Sequence, residues 1–486
     1  MSDTLTIEEQ SLRQRVETNP TPAMLWFVGV LILTLLEFGA LLQVLVQLLN
    51  IVVTALQLHF AAGGLTAAGK MAADVPTFLS RKVISNQGYQ PGGTGPWTGT
   101  FMGIEPKWAW FLRVVLIYGY AFAWLGWVWY GYLTFRRHYR YADWTPRDDV
   151  VDRLRHHRWG MFGFVVVFMF VVMAVFAPAL GTATLDQNIL HPYDYNVHYW
   201  DASTGQVASV PVGIANIKSK SQGAGGNNVG LWSYDDFGRF HPFGTLVSGK
   251  DLFTFIAHGA RISLLIGVTS MGLAAFLAIT MATLTAYYKG LVDLFIVVTS
   301  DSVQALPLIM ILILMVVIFS NTWIADVYNG ALLLIIIFTI IYWPYLWRAV
   351  RGPALQISEE EWIDAAKSFG QRPRAIMRKH MSPYIIGYML VYASLSLGGV
   401  IIATAGLTFL GLGINPPTPE WGRAINAGQP YVATASWHIS LIPGLLITLV
   451  VTAFNALGDG IRDAVDPQSE TGEAEATAAT AGGGGA

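Results

Sequence analysis

Eight stretches of this chain are each apolar for about twenty residues, the length a helix needs to cross the hydrocarbon core of a bilayer. They run over roughly 24–48, 108–133, 161–180, 262–287, 294–319, 329–347, 384–410 and 438–457. No water is available in hydrocarbon to satisfy backbone polar groups, so spans of this kind must be helical. The expected class is therefore an all-α integral membrane protein of about eight spans. Composition agrees: 12% of the 486 residues are charged, about half the roughly 25% of a soluble domain. A net charge of −2 offers no electrostatic footprint for nucleic acid. The absence of cysteine excludes disulfides, thiolate metal sites and cysteine nucleophiles.

The first apolar run continues to about Leu58, longer than a span requires. It can tilt, protrude from the membrane or break near Asn50, and the sequence leaves these open. Polar residues 1–20 precede a run too long for a signal-peptide core, so the first segment reads as a retained transmembrane helix.

Orientation follows from lysine and arginine in the connections. Connection 136–160 carries Arg136, Arg137, Arg140, Arg147, Arg153, Arg155 and Arg158, and 348–383 is similarly basic. The connection 181–250 has only Lys218, Lys220, Arg239 and Lys250, and 414–437 only Arg423. Eight spans with both basic loops on one side place both termini in the cytoplasm. The expected organisation is a two-span extension (1–135) with an outer loop at 61–106, a basic connector (136–160), a six-span core (161–466) and a disordered tail (467–486). The outer run Ser219 to Asn228 is turn-rich, without apolar period. No internal repeat supports an inverted-repeat secondary transporter.

The loop between the sixth and seventh spans carries the most information. Ser358 followed by Glu361 has the spacing of a capping box, and Glu359, Glu360 and Glu361 would fill a first helical turn. Gly370 stands where a left-handed terminator belongs, Pro373 can start a second short helix, and Pro383 leads into the next span. Trp362, Ile363, Ala366 and Phe369 fall on one stripe at helical spacing. That stripe either meets a partner protein or packs on the chain's own helix ends; the pattern alone favours neither.

Asp364, Ala365 and Ala366, then Gly370 and Pro383, resemble the coupling-loop signature of ABC importer permeases. Asp364 stands where that family usually has Glu, and Ser382 where Leu usually precedes the proline. Other motifs are similar to the dipeptide/oligopeptide (nickel) branch and its second, C-type permease: Arg155 to Gly160, His241 to Thr245, Gly249 to Asp251, Gly259 to Ser263, Gly406 to Gly413, Pro416 to Gly422, and Phe454 to Pro467. Leu246 and Val247 replace residues that are usually acidic there. The resemblance covers about 155–467, leaving 1–150 and much of 185–235 outside it.

The resemblance implies a permease for short peptides that is not itself an enzyme, with nickel or an oligosaccharide as rival cargo. It implies four partners besides the lipid bilayer: a homologous second permease, two ATPase subunits and an external substrate-binding protein that holds most of the selectivity. No cofactor is expected on this chain, since ATP and Mg belong to the ATPases. Loop 353–383 would couple to them, with Glu361, Asp364, Ala365, Ala366, Gly370 and Pro383 as contact residues. The rival from another class is a standalone secondary transporter or channel.

Other candidates are weaker. Gly64 to Lys70 fits the first seven positions of a phosphate-binding loop, but Met71 replaces the Mg-binding hydroxyl and the topology puts it outside. Asp301 with Gln304 lies in the fifth span, where a carboxylate needs a partner or water; it is a candidate for the translocation path or for a structural pair near the inner end. Glu37 has no obvious mate. His156 and His157 lie in a basic juxtamembrane run, and no metal is expected. Gly398, Gly399, Gly406 and Gly411 make a small-residue surface for close packing, internal or against the second permease. Trp108, Trp124, Trp127, Trp129 and Tyr130 read as interfacial anchors.

Overall fold

The computed structural model describes residues 11–39 and 77–465 except 141, 143 and 222–228, with some positions between 42 and 75. Much of the extended first apolar run, parts of the Gly64–Lys70 segment, the end of the Ser219–Asn228 run and the 467–486 tail lie outside the described residues.

The main helices in chain order are α1 (Leu12–Thr18), α2 (Pro20–Leu36), α3 (Pro106–His138), α4 (Pro146–His156), α5 (Arg158–Val175), α6 (Leu252–Tyr288), α7 (Gly290–Gln304), α8 (Leu308–Phe319), α9 (Ala331–Ser358), α10 (Glu361–Ser368), α11 (Pro373–Ile376), α12 (Ser382–Phe409), α13 (Trp421–Gly428) and α14 (His438–Val465), with further short helices at Ala177–Leu180, Val212–Lys218 and Trp323–Asp326. Among the described residues, six helical segments are long and apolar enough to cross a membrane, and up to eight if each of two bent pairs counts as one span. The described residues therefore hold six to eight candidate spans, in an all-α membrane protein. The bent pairs are α1–α2, at 97°, and α7–α8, at 87°. The second bend falls at Ala305–Pro307, because Pro307 has no N–H and pushes Leu306 out of helical geometry.

The first apolar run is interrupted at Glu37, whereas the surroundings of Asn50 lie partly outside the described residues. Leu36 ends α2, its carbonyl accepts from the N–H of Phe78 at 3.2 Å, and Glu37 Oε1 accepts from the N–H of Leu79 at 2.9 Å. A segment some forty positions later therefore satisfies the helix end.

The described residues form two compact units. The first draws on residues 1–148, 175–257 and 434–438. In it α2 lies against α3, where Gly29 and Gly131 give the close approach. A Cβ on Gly29 would sit 2.0 Å from the Trp127 ring, and one on Gly131 2.2 Å from the Trp26 ring. The same unit joins the segment preceding α3 to the 176–257 region. Arg113, fully buried, donates to the carbonyls of Ile84 at 2.6 Å and Gly181 at 2.9 Å. Trp110 donates to Leu180 O at 3.0 Å, and Trp97 stacks on Tyr234 at 6.1 Å. Strands β1 (Asn196–Asp201) and β2 (Gln206–Pro211) form an antiparallel hairpin in register Asn196↔Pro211 to Asp201↔Gln206. Its turn is held by Asp201 Oδ1 accepting from Ser203 N at 2.9 Å. Aromatic and β-branched residues either side of a Ser-Thr-Gly turn are its sequence signal.

The second unit draws on 149–174, 258–433 and 439–486. Ile266, Phe338, Leu346, Trp347, Met381 and Ile385 belong to one buried core. Lipid is as apolar as leucine, so contact and small residues, rather than transfer from water, hold such helices together. A Cβ on Gly160 of α5 would meet Gly460 Cα of α14 at 2.9 Å. Gly398 and Gly399 likewise face inward, toward Val451 and the Tyr342 hydroxyl, whereas Gly406 has open space beside it.

Candidate functional site

The loop joining α9 to α12 is built from local rules and one tertiary anchor. α9 continues through Ser358, whose hydroxyl donates back to Leu355 O at 2.7 Å. The expected capping box at Ser358 and Glu361 is therefore absent. Glu360 is the N-cap of α10 without a side-chain cap bond, and the acidic residues of the first turn are Glu361 and Asp364. The helix above had not finished at Ser358, so its hydroxyl was never free to cap the next one.

The C-terminal signal behaves as the sequence indicates. Gly370 has φ +71°, its N–H donates to Lys367 O at 2.9 Å, and Gln371 N donates to Ala366 O at 3.1 Å. This bond pair is the Schellman termination, which needs a left-handed residue at that position. Pro373 then begins α11, and Pro383 lies in the first turn of α12.

The apolar stripe divides. Ile363 and Ala366 are buried in the core of the second unit with Ile376 and Met381. Trp362 rests beside Tyr384 at 5.4 Å and His380 at 6.0 Å. Phe369 is 86% exposed. Glu361, Asp364 and Ala365 are exposed too, and Asp364 accepts from Lys367 at 2.9 Å, a surface pair worth at most about 1 kcal/mol. The loop is thus pinned by one face and presents the other. Beyond it Arg372, Arg374, Arg378 and Lys379 line a groove of about 490 Å³.

Asp301 pairs with Arg348, both about half exposed. Asp293 and Arg351 make a parallel pair, with Arg351 Nε donating to Asp293 Oδ1 at 2.8 Å. Both tie α7 to α9. Gln304 donates to Ser300 Oγ at 2.8 Å and borders a groove of about 290 Å³ with Tyr342 and Tyr345. The structure therefore places Asp301 in an ion pair and Gln304 at a groove, and it does not join the two in one site.

His157 Nδ1 accepts from Gly160 N at 2.9 Å, leaving Nε2 to face Asp463 Oδ2 at 3.2 Å. Two motifs far apart in sequence thus meet. His156 instead contacts Asp152 O, and among the described residues no cluster could hold a metal ion. Glu420 caps α13, its Oε2 accepting from Gly422 N at 2.6 Å and from the Thr408 hydroxyl; burial pushes its carboxyl up.

Sequence reasoning assigned no role to a buried charge network in the first unit. His241 faces Asp251 at 2.9 Å and Asp235 at 3.5 Å, and Arg239 Nε donates to Asp235 at 2.7 Å. Burial pulls the imidazole down, but hydrogen bonds and charge from both carboxylates outweigh it and leave His241 raised.

Residues 274–470 match the family model described as the binding-protein-dependent transport system inner membrane component. Residues 145–206 match that of the N-terminal TM domain of oligopeptide transport permease C. The chain is 36% identical over 324 residues to a glutathione transport system permease protein of Escherichia coli, covering 67% of this chain and 91% of that protein. It is 29% identical over 332 residues to a dipeptide transport system permease protein of Alkalihalophilus pseudofirmus, covering 68% and 93%. A dipeptide transport system permease protein of Bacillus subtilis is 34% identical over 228 residues, covering 47% and 69%.

Proposed function

The chain belongs to the family of binding-protein-dependent transport system inner membrane components, and on that premise we propose that it imports short peptides by coupling to separate ATPase subunits through residues 353–383. As a member of this family it is a transport permease subunit and not an enzyme. The peptide cargo is supported by relatives named for dipeptide and glutathione transport. The proposed assembly adds a homologous second permease, two ATPase subunits that bind ATP and Mg, and an external binding protein. Both termini face the cytoplasm in this reading, supported by the arginines of 136–160 and 348–383. The segments 1–135 and 161–466 are proposed as extension and core.

The observation that carries the coupling assignment is the two-faced α10. Ile363 and Ala366 anchor it in the core of its own unit, while Glu361, Asp364, Ala365 and Phe369 are solvent-exposed. A push on the exposed face is transmitted through a rigid seat to α9 and α12 rather than absorbed by a loose loop. Gly370 fixes the turn that aims α11 and leads to Pro383. Asp301 and Gln304, by contrast, sit near the junction of α7 and α8; we assign Gln304 and not Asp301 to the translocation path.

The test is co-purification of tagged chain with its ATPases, comparing wild type with Phe369→Asp. Retention by wild type and loss by the variant, with unchanged melting of the variant, supports the contact. A well-folded wild type that binds no ATPase rejects it and favours a secondary transporter.

A further inference from the structure

Arg372, Arg374, Arg378 and Lys379 line the groove beyond α10 together with Ala375, and no acidic residue shares its wall. All four cations are exposed, and among the described residues none of them lies in an ion pair. Two of the nearby acids are engaged elsewhere: Glu359 holds Lys289 and Asp364 holds Lys367. Four like charges around one concavity raise a local positive potential, which an anionic segment relieves.

Such a segment follows α14. From Asp466 onward the sequence holds Asp466, Glu470, Glu473 and Glu475, with no lysine, arginine or large apolar residue. These positions lie outside the described residues, but the helix they follow does not. A Cβ on Gly458 of α14 would meet Leu395 of α12 at 2.6 Å, and one on Gly398 of α12 would meet Val451 of α14 at 3.2 Å. The two helices are therefore antiparallel neighbours, and later residues of α14 lie beside earlier residues of α12. At about 1.5 Å of rise per residue, Val465 stands roughly level with Tyr388, about 14 Å short of Lys379 along the axis. The groove leads directly into α12 through the turn Met377–Met381. Extended chain covers about 3.3 Å per residue, so Glu470 has about 17 Å of reach from Val465 and Glu475 about 33 Å. The acidic run thus starts within reach of the groove, and both belong to one compact unit.

We propose that the acidic segment from Asp466 to Glu475 docks in the groove of Arg372, Arg374, Arg378 and Lys379, which is thus a seat for this chain's own tail. Each exposed pair is weak alone. The tether raises the effective concentration of the segment to about the millimolar range, where several weak pairs act together. Docking ties the residues between α10 and α12 to the end of α14, so a push on α10 reaches α14 as well as α9 and α12. That consequence rests on the coupling reading; the docking itself rests on the charges and on the helix register.

The chain contains no cysteine, so Ala375→Cys and Ala474→Cys place one thiol in the groove wall and one among the glutamates. The doubly substituted full chain is expressed with its permease and ATPase partners, purified in phosphatidylcholine nanodiscs and oxidised, and the 375–474 link is quantified by mass spectrometry. Adding Glu470→Lys, Glu473→Lys and Glu475→Lys should slow linking roughly tenfold or more, and salt at about 0.5 M should slow it several-fold. Arg372→Glu, Arg374→Glu and Arg378→Glu in that same chain should restore it. Linking that ignores the tail charges, or a swap that fails to restore it, overturns the docking. Linking that is present in phosphatidylcholine and lost in phosphatidylglycerol shows lipid headgroups holding the groove in an anionic membrane, and also overturns the tail as its occupant. ATPase retention, measured on the same samples, separates the two readings. ATPases retained without linking overturn the docking alone. Charge-dependent linking in a chain that retains no ATPase rejects the coupling reading and leaves the docking standing.

Discussion

Trp26 and Trp127 each donate the indole N–H to the other's backbone carbonyl, at 3.2 and 3.1 Å. The exchange is reciprocal, and each ring lies over a glycine of the facing helix, Trp127 over Gly29 and Trp26 over Gly131. Trp127 therefore locks α2 to α3. Tyr120 reinforces it by donating to Leu33 O at 2.7 Å.

Removing one donor should cost modestly. Trp127→Phe and Trp26→Phe each lose one hydrogen bond, about 0.5–1.5 kcal/mol and toward the low end in a membrane. Gly29→Leu should cost more, because its Cβ has no room beside the Trp127 ring. Thermal unfolding in detergent checks the order; equal losses for Phe and Leu variants would refute the lock.

Gly370→Ala should lower ATPase coupling more than ATPase binding, because φ +71° strains any residue with a Cβ by roughly 1 kcal/mol and tilts α11. Phe369→Asp should do the reverse and lower binding first. Transport per ATP and ATPase retention, measured on both variants, separate the two.

If Asp301 serves α7–α9 pairing, Asp301→Arg should impair transport and the swap Asp301→Arg with Arg348→Asp should restore much of it. The stability change will be small, below about 1 kcal/mol, as for most exposed ion pairs. A swap that remains as inactive as the single variant would instead put the Asp301 carboxylate on the translocation path.

The His241 network should make the first unit pH-dependent. His241 is raised in the folded state, so the folded state binds its proton more tightly than the unfolded chain. Its stabilising contribution is complete below the unfolded value of about 6.5 and fades as pH rises through the folded value. Asp235 is depressed despite burial, held down by Arg239 and His241, so its contribution is lost as pH falls into the acid range. Once corrected for the base-catalysed intrinsic rate, hydrogen-exchange protection over 235–251 should therefore fall from pH 6 to pH 9, and His241→Gln should flatten that slope.

The spans, the Gly370 termination and the Pro373 start were legible because each depends on residues within one turn of itself. The same locality misled at Ser358, where the capping spacing was present but α9 ran on through it. At Glu37 no mate was legible, because its partner Leu79 is remote in the chain. The stripe at 362–369 had two open readings, and packing divided it: Ile363 and Ala366 to the core, Phe369 to the surface.

By itself the sequence determined the class, the apolar segments that supply the candidate spans and the family, since hydrocarbon length acts on each segment independently. Tertiary structure alone decided that residues before α3 join the 176–257 region in one unit, that Trp26 meets Trp127, and that Arg113, His241, Asp235 and Asp251 share one buried setting. Those contacts link residues as far apart as Trp97 and Tyr234, and they depend on which backbones can approach closely and which buried charges must find partners, neither of which a linear pattern records.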